Sequence, residues 1–171
     1  MIILYRILTY ILVPFALLFG LFTLILFFIA ISNPALFLGV FLLAAFIIYY
    51  FCSFRFLHNG LLNKQQLKPK LRDWIKVNAY VTLPFAIMNF MQGFMLIRKP
   101  ALIDESIKQM LEMQQRMGVP AQPAGTYNSM MMTVLYIILF FSIVLLVHVM
   151  LTFSFLKKYE HLFTSGEEIP S

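Results

Sequence analysis

Two segments of the chain, MNFMQGFM and MLEMQQRM, each place methionines at positions i, i+3 and i+7. Thioether sulfur is a ligand that suits a soft metal such as Cu(I). The candidate ligands are in the second segment, at Met110, Met113 and Met117. The same spacing is typical of any apolar stripe on a helix, and methionine fills such stripes readily. Neither segment contains cysteine or histidine. We therefore interpret both as packing and predict no metal or other cofactor.

His148 is the only ionisable residue well inside one of the long apolar runs of the chain. A histidine there could carry protons or bind a metal, or it could be a neutral ring that hydrogen-bonds to a neighbouring helix. The sequence leaves these two interpretations equally open. No aspartate or glutamate lies in any of the apolar runs. This absence argues against a pump or antiporter that relays protons through carboxylates.

A seam of four polar and two apolar residues follows the third apolar run at alternating steps of four and three. Its members are Asn78, Thr82, Phe85, Asn89, Gln92 and Leu96. Because amides are costly against lipid, we expect this seam to face other helices. The amides could line a polar path, or they could form hydrogen bonds between helices, which is the favoured interpretation. The predicted polar intramembrane cluster is Asn78, Thr82, Asn89, Gln92 and His148.

Depth along two antiparallel helices predicts a partner for His148. His148 lies about eight residues from the end of the fourth run and Phe85 about eight from the start of the third, so both are roughly 12 Å deep. Thr82 and Asn89 lie one turn to either side of that level. A buried imidazole without a partner would cost about 1–3 kcal/mol. We predict that His148 pairs with one of these two residues and stabilises the packing.

Composition places the chain in a membrane. Of its 171 residues, 61% are apolar and 12% are charged, with a mean hydropathy of +0.87. Soluble domains are near half apolar and a quarter charged. The lone cysteine, Cys52, excludes an internal disulfide. Four apolar runs are long enough to cross a hydrocarbon core about 30 Å thick. The predicted spans are residues 7–31, 35–54, 77–97 and 130–156.

The distribution of charge predicts the orientation of these spans. Nine lysines and arginines lie in the two termini and in residues 55–76, against four in residues 98–129. The positive-inside rule then places both termini, including the tail 157–171, in the cytoplasm. The expected fold is an all-α, single-domain bundle of four transmembrane helices, N-in and C-in, in a bacterial inner membrane. Tyr49, Tyr50 and Trp74 would lie near the cytoplasmic interface, where amphipathic rings settle.

The segment 98–129 carries apolar side chains on one face of a helix and charged side chains on the other. The apolar face holds Ile103, Ile107, Met110, Leu111, Met113 and Met117. We expect Gly118 and Pro120 to end this helix, and Pro123 and Gly125 to keep the following stretch irregular. An amphipathic helix of this kind should lie along the membrane surface or cap the bundle.

The segment 55–76, expected to be a cytoplasmic loop, is strongly basic. The residues predicted to contact anionic lipid headgroups are Lys64, Lys68, Lys70, Arg72 and Lys76. A helix is expected to open near Pro69. Nucleic-acid binding is not predicted, because it would need a larger basic face with interleaved aromatic residues.

No nucleophile–base pair, phosphate-binding loop, zinc motif or carboxylate pair occurs in the sequence. We therefore expect a protein that is not an enzyme and that acts through contacts, as an accessory, assembly or interaction subunit of a membrane complex. Its expected partners are the bilayer and a membrane protein or a second copy of the chain. The alternative is an oligomeric channel or a small-solute or metal transporter. In that case Asn78, Asn89, Gln92 and His148 would line a polar path along spans 3 and 4.

Overall fold

The computed structural model of the chain describes residues 1–118 and 124–163, and all regular structure there is helical. The α-helices are α1 (Ile2–Ser32), α2 (Phe37–Arg55), α3 (Pro69–Arg98), α4 (Pro100–Arg116) and α5 (Ala124–Lys158). Four helical segments are long and apolar enough to cross a membrane: Ile2–Ser32, Pro34–Leu62, Pro69–Arg98 and Gly125–Lys158. The prediction of an all-helical membrane protein with four such helices is confirmed.

The helices extend beyond the apolar runs that predicted them. α1 begins at Ile2 rather than near residue 7, and α5 begins at Ala124 rather than near residue 130. Gly125 was expected to be irregular and lies inside α5, so that prediction is wrong. An apolar run marks the part of a helix that suits hydrocarbon, whereas the backbone hydrogen bonds continue into the polar residues beside it. Pro120 and Pro123 lie outside the described residues.

The end of α4 follows the prediction. The last helical residue is Arg116, Met117 caps the helix, and Gly118 has a φ of 69°. Glycine adopts this left-handed conformation without the steric cost that a Cβ atom would bring. Glycine at this position therefore suits the end of the helix.

The basic segment is mostly helical rather than a loop. α2 continues into a π-helix, Phe56–Leu62, and α3 opens at Pro69 as expected. Proline suits a first helical turn because its missing N–H would have no partner there. Only residues 63–68 remain irregular between these helices. The lysines at 70 and 76 are therefore carried on the same helix as the third span.

The chain divides into two compact units, which are described separately. Unit 1 contains Met1–Ala86 and the chain from Val144 onward, and unit 2 contains Ile87–Ile143. The core of unit 2 forms where α4 packs its apolar face. Ile103 and Ile107 are buried there together with Leu135 of α5. The hydroxyl of Tyr127 on α5 donates a 2.9 Å hydrogen bond to Gln114 Oε1 on α4.

Candidate functional site

His148 lies at the centre of a buried polar cluster in unit 1. Its side chain has 0% exposure, and each ring nitrogen meets a hydroxyl from a different helix. Nε2 lies 3.0 Å from Thr9 Oγ1 on α1, and Nδ1 lies 2.7 Å from Tyr49 Oη on α2. One imidazole on α5 therefore links α1 and α2 through hydrogen bonds at both of its nitrogens.

Thr152, one helical turn after His148, extends this network. Its Oγ1 lies 2.8 Å from Tyr49 Oη and 3.1 Å from Tyr5 Oη, and it donates to the carbonyl of His148 at 2.8 Å. The Tyr5 ring stacks on the imidazole, with ring centres 4.7 Å apart and planes 15° apart. We call Tyr5, Thr9, Tyr49, His148 and Thr152 the imidazole–hydroxyl cluster. All five residues have 0% exposure, so the cluster is shielded from the outside of unit 1.

The hydrogen bonds of this cluster outnumber the protons that can form them. Thr9 also donates to the Tyr5 carbonyl at 2.8 Å, so the described network needs at least six protons. A ring with one N–H and four hydroxyls supplies five. With the proton on Nε2, the ring donates to Thr9 and accepts from Tyr49, and with the proton on Nδ1 these roles reverse. Either tautomer leaves one bond unmade, so two hydrogen-bond arrangements compete.

The cluster draws on pairs of residues four positions apart. Tyr5 and Thr9 form such a pair on α1, and His148 and Thr152 form one on α5. On α2, Tyr49 is followed four positions later by Ser53, which is buried beside the cluster but is not one of its five members. Residues four apart share a helix face, so each pair presents two polar groups to the same side. This repeated spacing is the signal that could have identified the cluster from the sequence. Tyr49 was expected near the cytoplasmic membrane interface, and the structure places its side chain in the interior of unit 1.

The predicted partners of His148 are also wrong. Its ring nitrogens bond to Thr9 and Tyr49, whereas Thr82 Oγ1 is buried with no hydrogen-bond partner in the described part of the chain. The prediction matched depths along the helices at 1.5 Å per residue. Depth does not determine which helices a side chain points toward, and two helices nearer the N-terminus supply hydroxyls to this ring.

The seam along α3 is buried only in part. Asn78, with 7% exposure, and Thr82 are buried as expected, and Asn89 is half-buried. Asn78 Nδ2 donates to the carbonyl of Trp74 in its own helix at 2.8 Å. Gln92 is exposed, so the prediction that it faces other helices is wrong.

Small residues form the buried stripe of α3 that the sequence interpretation missed. Ala79, Ala86 and Gly93 are buried and lie seven positions apart. Small side chains allow helices to approach closely without large cavities. In unit 2, a Cβ atom added to Gly93 would lie 2.9 Å from Leu139 Cδ2 and 3.0 Å from its Cγ. In unit 2, Gly93 is thus buried, whereas its neighbour Gln92 is exposed.

The methionines of α4 do not pack as expected. Met113 is 61% exposed and Met117 63% exposed, and Met110 is also exposed. The packing interpretation is wrong for them, because the buried face of α4 is formed by Ile103 and Ile107. Over residues 1–118 and 124–163, no group of three histidine, cysteine or acidic residues could hold a metal ion.

The predicted lipid-contact residues differ in exposure. Lys64, Lys68 and Lys70 are exposed, whereas Arg72 and Lys76 are half-buried. Arg72 Nη1 donates to Glu160 Oε1 at 2.6 Å, and Arg72 Nε lies 4.0 Å from Asp73. Arg72 is therefore already neutralised within the chain, and the exposed lysines are the freer cations.

The fold and these sites define an all-helical membrane protein that carries a buried imidazole–hydroxyl cluster. No protein-family model matches the chain, and neither the curated proteins nor the solved structures with which it was compared give a match.

Proposed function

We propose that this protein is not an enzyme and that it binds a helix of another membrane protein, as an accessory or assembly subunit of a membrane complex. The observation that carries the proposal is the exposed face of α3. Gln92 is exposed there, and so are Met88, Met91 and Met95 on the turns around it. We call these four residues the methionine–glutamine face.

A primary amide that faces lipid is unfavourable, because the hydrocarbon offers it no hydrogen bond. Gln92 lies six residues before Arg98 on α3, roughly 9 Å at 1.5 Å per residue, which is within the apolar part of the span. An unpaired amide in hydrocarbon costs several kcal/mol, so a helix that offers a hydrogen bond is a better neighbour than lipid. Methionine adapts its shape to different surfaces. The methionine–glutamine face is therefore suited to a partner helix that carries an amide or a hydroxyl.

The imidazole–hydroxyl cluster supports the same function rather than the alternative channel. A polar path through the membrane needs side chains that meet water, and His148 has 0% exposure with both ring nitrogens bonded. Such a cluster fixes three helices relative to one another, which is the structural role expected of buried polar groups between helices. Because the buried cluster has a structural role, we infer that the protein acts through contacts on its outer surface.

The proposed orientation follows from charge. We propose a four-helix bundle in a bacterial inner membrane with both termini in the cytoplasm, since nine cations flank the spans on that side and four on the other. A membrane-impermeant thiol reagent applied to intact cells should label a Gln109→Cys, Cys52→Ser variant. Labelling only after the cells are opened would contradict this orientation.

Photocrosslinking tests the proposed contact. A benzophenone amino acid at Met91 should give a discrete protein adduct in native membranes. The same group at Leu24, an exposed apolar position of α1, is the matched control and should react mainly with lipid. Adding Gln92→Leu to the Met91 probe should reduce the adduct. Mass spectrometry of the adduct then separates a second copy of the chain from a different membrane protein. Equal protein adducts at both positions, or none at Met91, would refute the proposal.

A further inference from the structure

A second polar site lies in unit 1, in a pocket of about 460 Å³ formed by the end of α2, the π-helix, residues 63–68 and the start of α3. Its basic lining residues are Arg55, Lys68 and Lys70. We propose that this basic pocket binds the phosphate group of an anionic ester, supplied by a phospholipid headgroup or by a small soluble phosphate. This site is independent of the proposed contact between helices.

Charge is the first argument for an anionic ligand. No carboxylate lines the pocket, and the two ion pairs of the neighbouring Arg72, with Asp73 and Glu160, involve a residue that is not in its wall. Arg55, Lys68 and Lys70 thus have no acidic neighbour within salt-bridge distance in residues 1–118 and 124–163. Three cations around one cavity repel one another, and an anion between them relieves that repulsion. Arginine and lysine are also the side chains that bind phosphate most often.

The remaining lining suits an ester of phosphate rather than a bare ion. Side-chain amides of Asn59, Gln65 and Gln66 add hydrogen-bond donors, and Leu67, Leu71 and Trp74 add apolar surface. The start of the 30-residue helix α3 lies at the same wall, where Lys70 and Leu71 stand in its first turn. Helix N-termini stabilise negative charge. A pocket in the range of about 300–1,000 Å³ holds a small molecule or a headgroup with part of its glycerol.

The pocket is held in shape by contacts that do not depend on a ligand. Leu67 is buried, and its backbone N–H donates to the carbonyl of Leu162 at 2.7 Å. Gly60 of the π-helix allows this placement, because a Cβ atom there would lie 2.7 Å from Leu67 Cδ1. The N–H of Gln65 donates to the carbonyl of Asn59 at 2.9 Å, and Lys64 adopts a φ of 52°. π-Helical turns are rare and often mark functional sites.

The chain contains its own reporter of binding. Trp74 is the only tryptophan and lies in the pocket wall, so its fluorescence should change when the pocket fills. The detergent-solubilised full chain would be titrated with dihexanoyl phosphatidylglycerol, with dihexanoyl phosphatidylcholine and with glycerol 3-phosphate. We expect a saturable change with at least one of the two anionic compounds and a weaker one with the zwitterionic lipid. Saturation by the anionic lipid alone identifies a headgroup, and saturation by glycerol 3-phosphate as well identifies the phosphate ester itself.

Variants that each remove one positive charge distinguish binding in the pocket from a nonspecific effect of the positive charge of the protein. Arg55→Gln and Lys68→Gln should each weaken binding by about tenfold, which corresponds to losing one charge-assisted hydrogen bond. Lys64→Gln removes the same charge from an exposed residue outside the pocket wall and should change the affinity by less than about twofold. These residues are exposed, so the variants should melt at the temperature of the parent. An equal loss in all three variants would overturn the proposal, as would the absence of saturation with both anionic compounds.

Cys52 gives a second measurement on the unsubstituted protein. It is the only cysteine of the chain and lines the same pocket. The saturating compound should slow alkylation of Cys52 by N-ethylmaleimide at the concentrations that change the Trp74 fluorescence. Alkylation that stays at the same rate when the fluorescence change is complete would place the ligand elsewhere and overturn the proposal.

Discussion

The two compact units of the chain differ in the side chains that join their helices. In unit 1, an imidazole and four hydroxyls from three helices are buried and bonded to one another. In unit 2, close packing joins the helices, through Gly93 against Leu139 and through the apolar face of α4, while the amide of Gln92 lies outside. Buried polar groups therefore link the helices of unit 1, whereas in unit 2 the exposed amide of Gln92 is available for contact with another molecule.

Because of this difference, we expect the buried polar groups of unit 1 to affect the stability of the protein, and the exposed amide of unit 2 to affect its binding to a partner. A buried hydrogen bond between helices contributes about 0.6–2 kcal/mol in membrane proteins, and several sharing one ring are lost together. A polar residue on the outside adds little to the stability of the isolated chain and acts only when a partner is present. Substitutions in the two units should thus differ in what they change.

The largest effect is expected for His148→Leu. It removes the bonds to Thr9 and Tyr49 and the stacking with Tyr5, and should lower the free energy of unfolding by about 2–3 kcal/mol. His148→Gln keeps a polar group and should cost less. Thermal melting in mild detergent measures both. His58→Leu is the control at an exposed histidine and should change the stability by less than about 0.5 kcal/mol. A His148→Leu protein as stable as the parent would show that the cluster does not hold unit 1 together.

The close contact of unit 2 is tested by Gly93→Ala. The added methyl group meets Leu139 at 2.9 Å, and we expect a loss of about 1–2 kcal/mol. Gly20→Ala on α1 is the matched control, because a Cβ atom there has nothing within 4 Å. Alanine favours a helix over glycine, so this control should be neutral or more stable by about 0.5–1 kcal/mol. Adding Leu139→Ala to Gly93→Ala should recover part of the loss. Equal effects at both glycines would rule out the close approach.

Substitution by valine should lower the free energy of unfolding at one buried threonine and leave it unchanged or raise it at another. Thr152→Val removes bonds to Tyr49 and Tyr5 and should destabilise by about 1 kcal/mol. Thr82→Val removes a buried hydroxyl that has no hydrogen-bond partner among the described residues, so it should be neutral or stabilising by up to about 1 kcal/mol. Chemical unfolding in detergent compares the two. Destabilisation by Thr82→Val equal to that of Thr152→Val would mean that the Thr82 hydroxyl is bonded.

The smallest effect on stability is expected for Gln92→Leu. Because its side chain is exposed, the purified monomer should melt within about 0.5 kcal/mol of the parent. The same substitution should reduce the Met91 photocrosslink in native membranes. A loss of stability in the isolated monomer would instead indicate that Gln92 bonds within the chain, and it would remove the contrast between the units.

Patterns of hydrophobicity and charge were sufficient to predict the helical class and the number of apolar helices. Each of these properties depends on many residues, so single exceptions do not change the result. Helix ends were less predictable, because α5 begins six residues before its apolar run, and the π-helix and α3 together take up most of the expected basic loop. The amphipathic pattern of residues 98–129 correctly predicted helix α4, with Ile103 and Ile107 on its buried face.

The candidate site was predictable only at His148. The histidine was identified because an ionisable group is rare in an apolar run, whereas Thr9 and Tyr49 are ordinary residues in such runs. Their role depends on the rotation of three helices, which is set by packing over the whole unit. The same limit explains Gln92, since the avoidance of lipid by an amide was weaker than the packing advantage of Ala79, Ala86 and Gly93.

The hydrogen bond from Leu67 to the carbonyl of Leu162 has a consequence for how the protein is made. Leu67 is synthesised before α3, α4 and α5, whereas Leu162 is synthesised only after α5. During synthesis, the segment between α2 and α3 therefore waits without this bond until that last helix has been inserted. A chain truncated before α5 would lack the carbonyl group that accepts the hydrogen bond of the Leu67 N–H. This corner of the protein is therefore completed only after α5 has been synthesised.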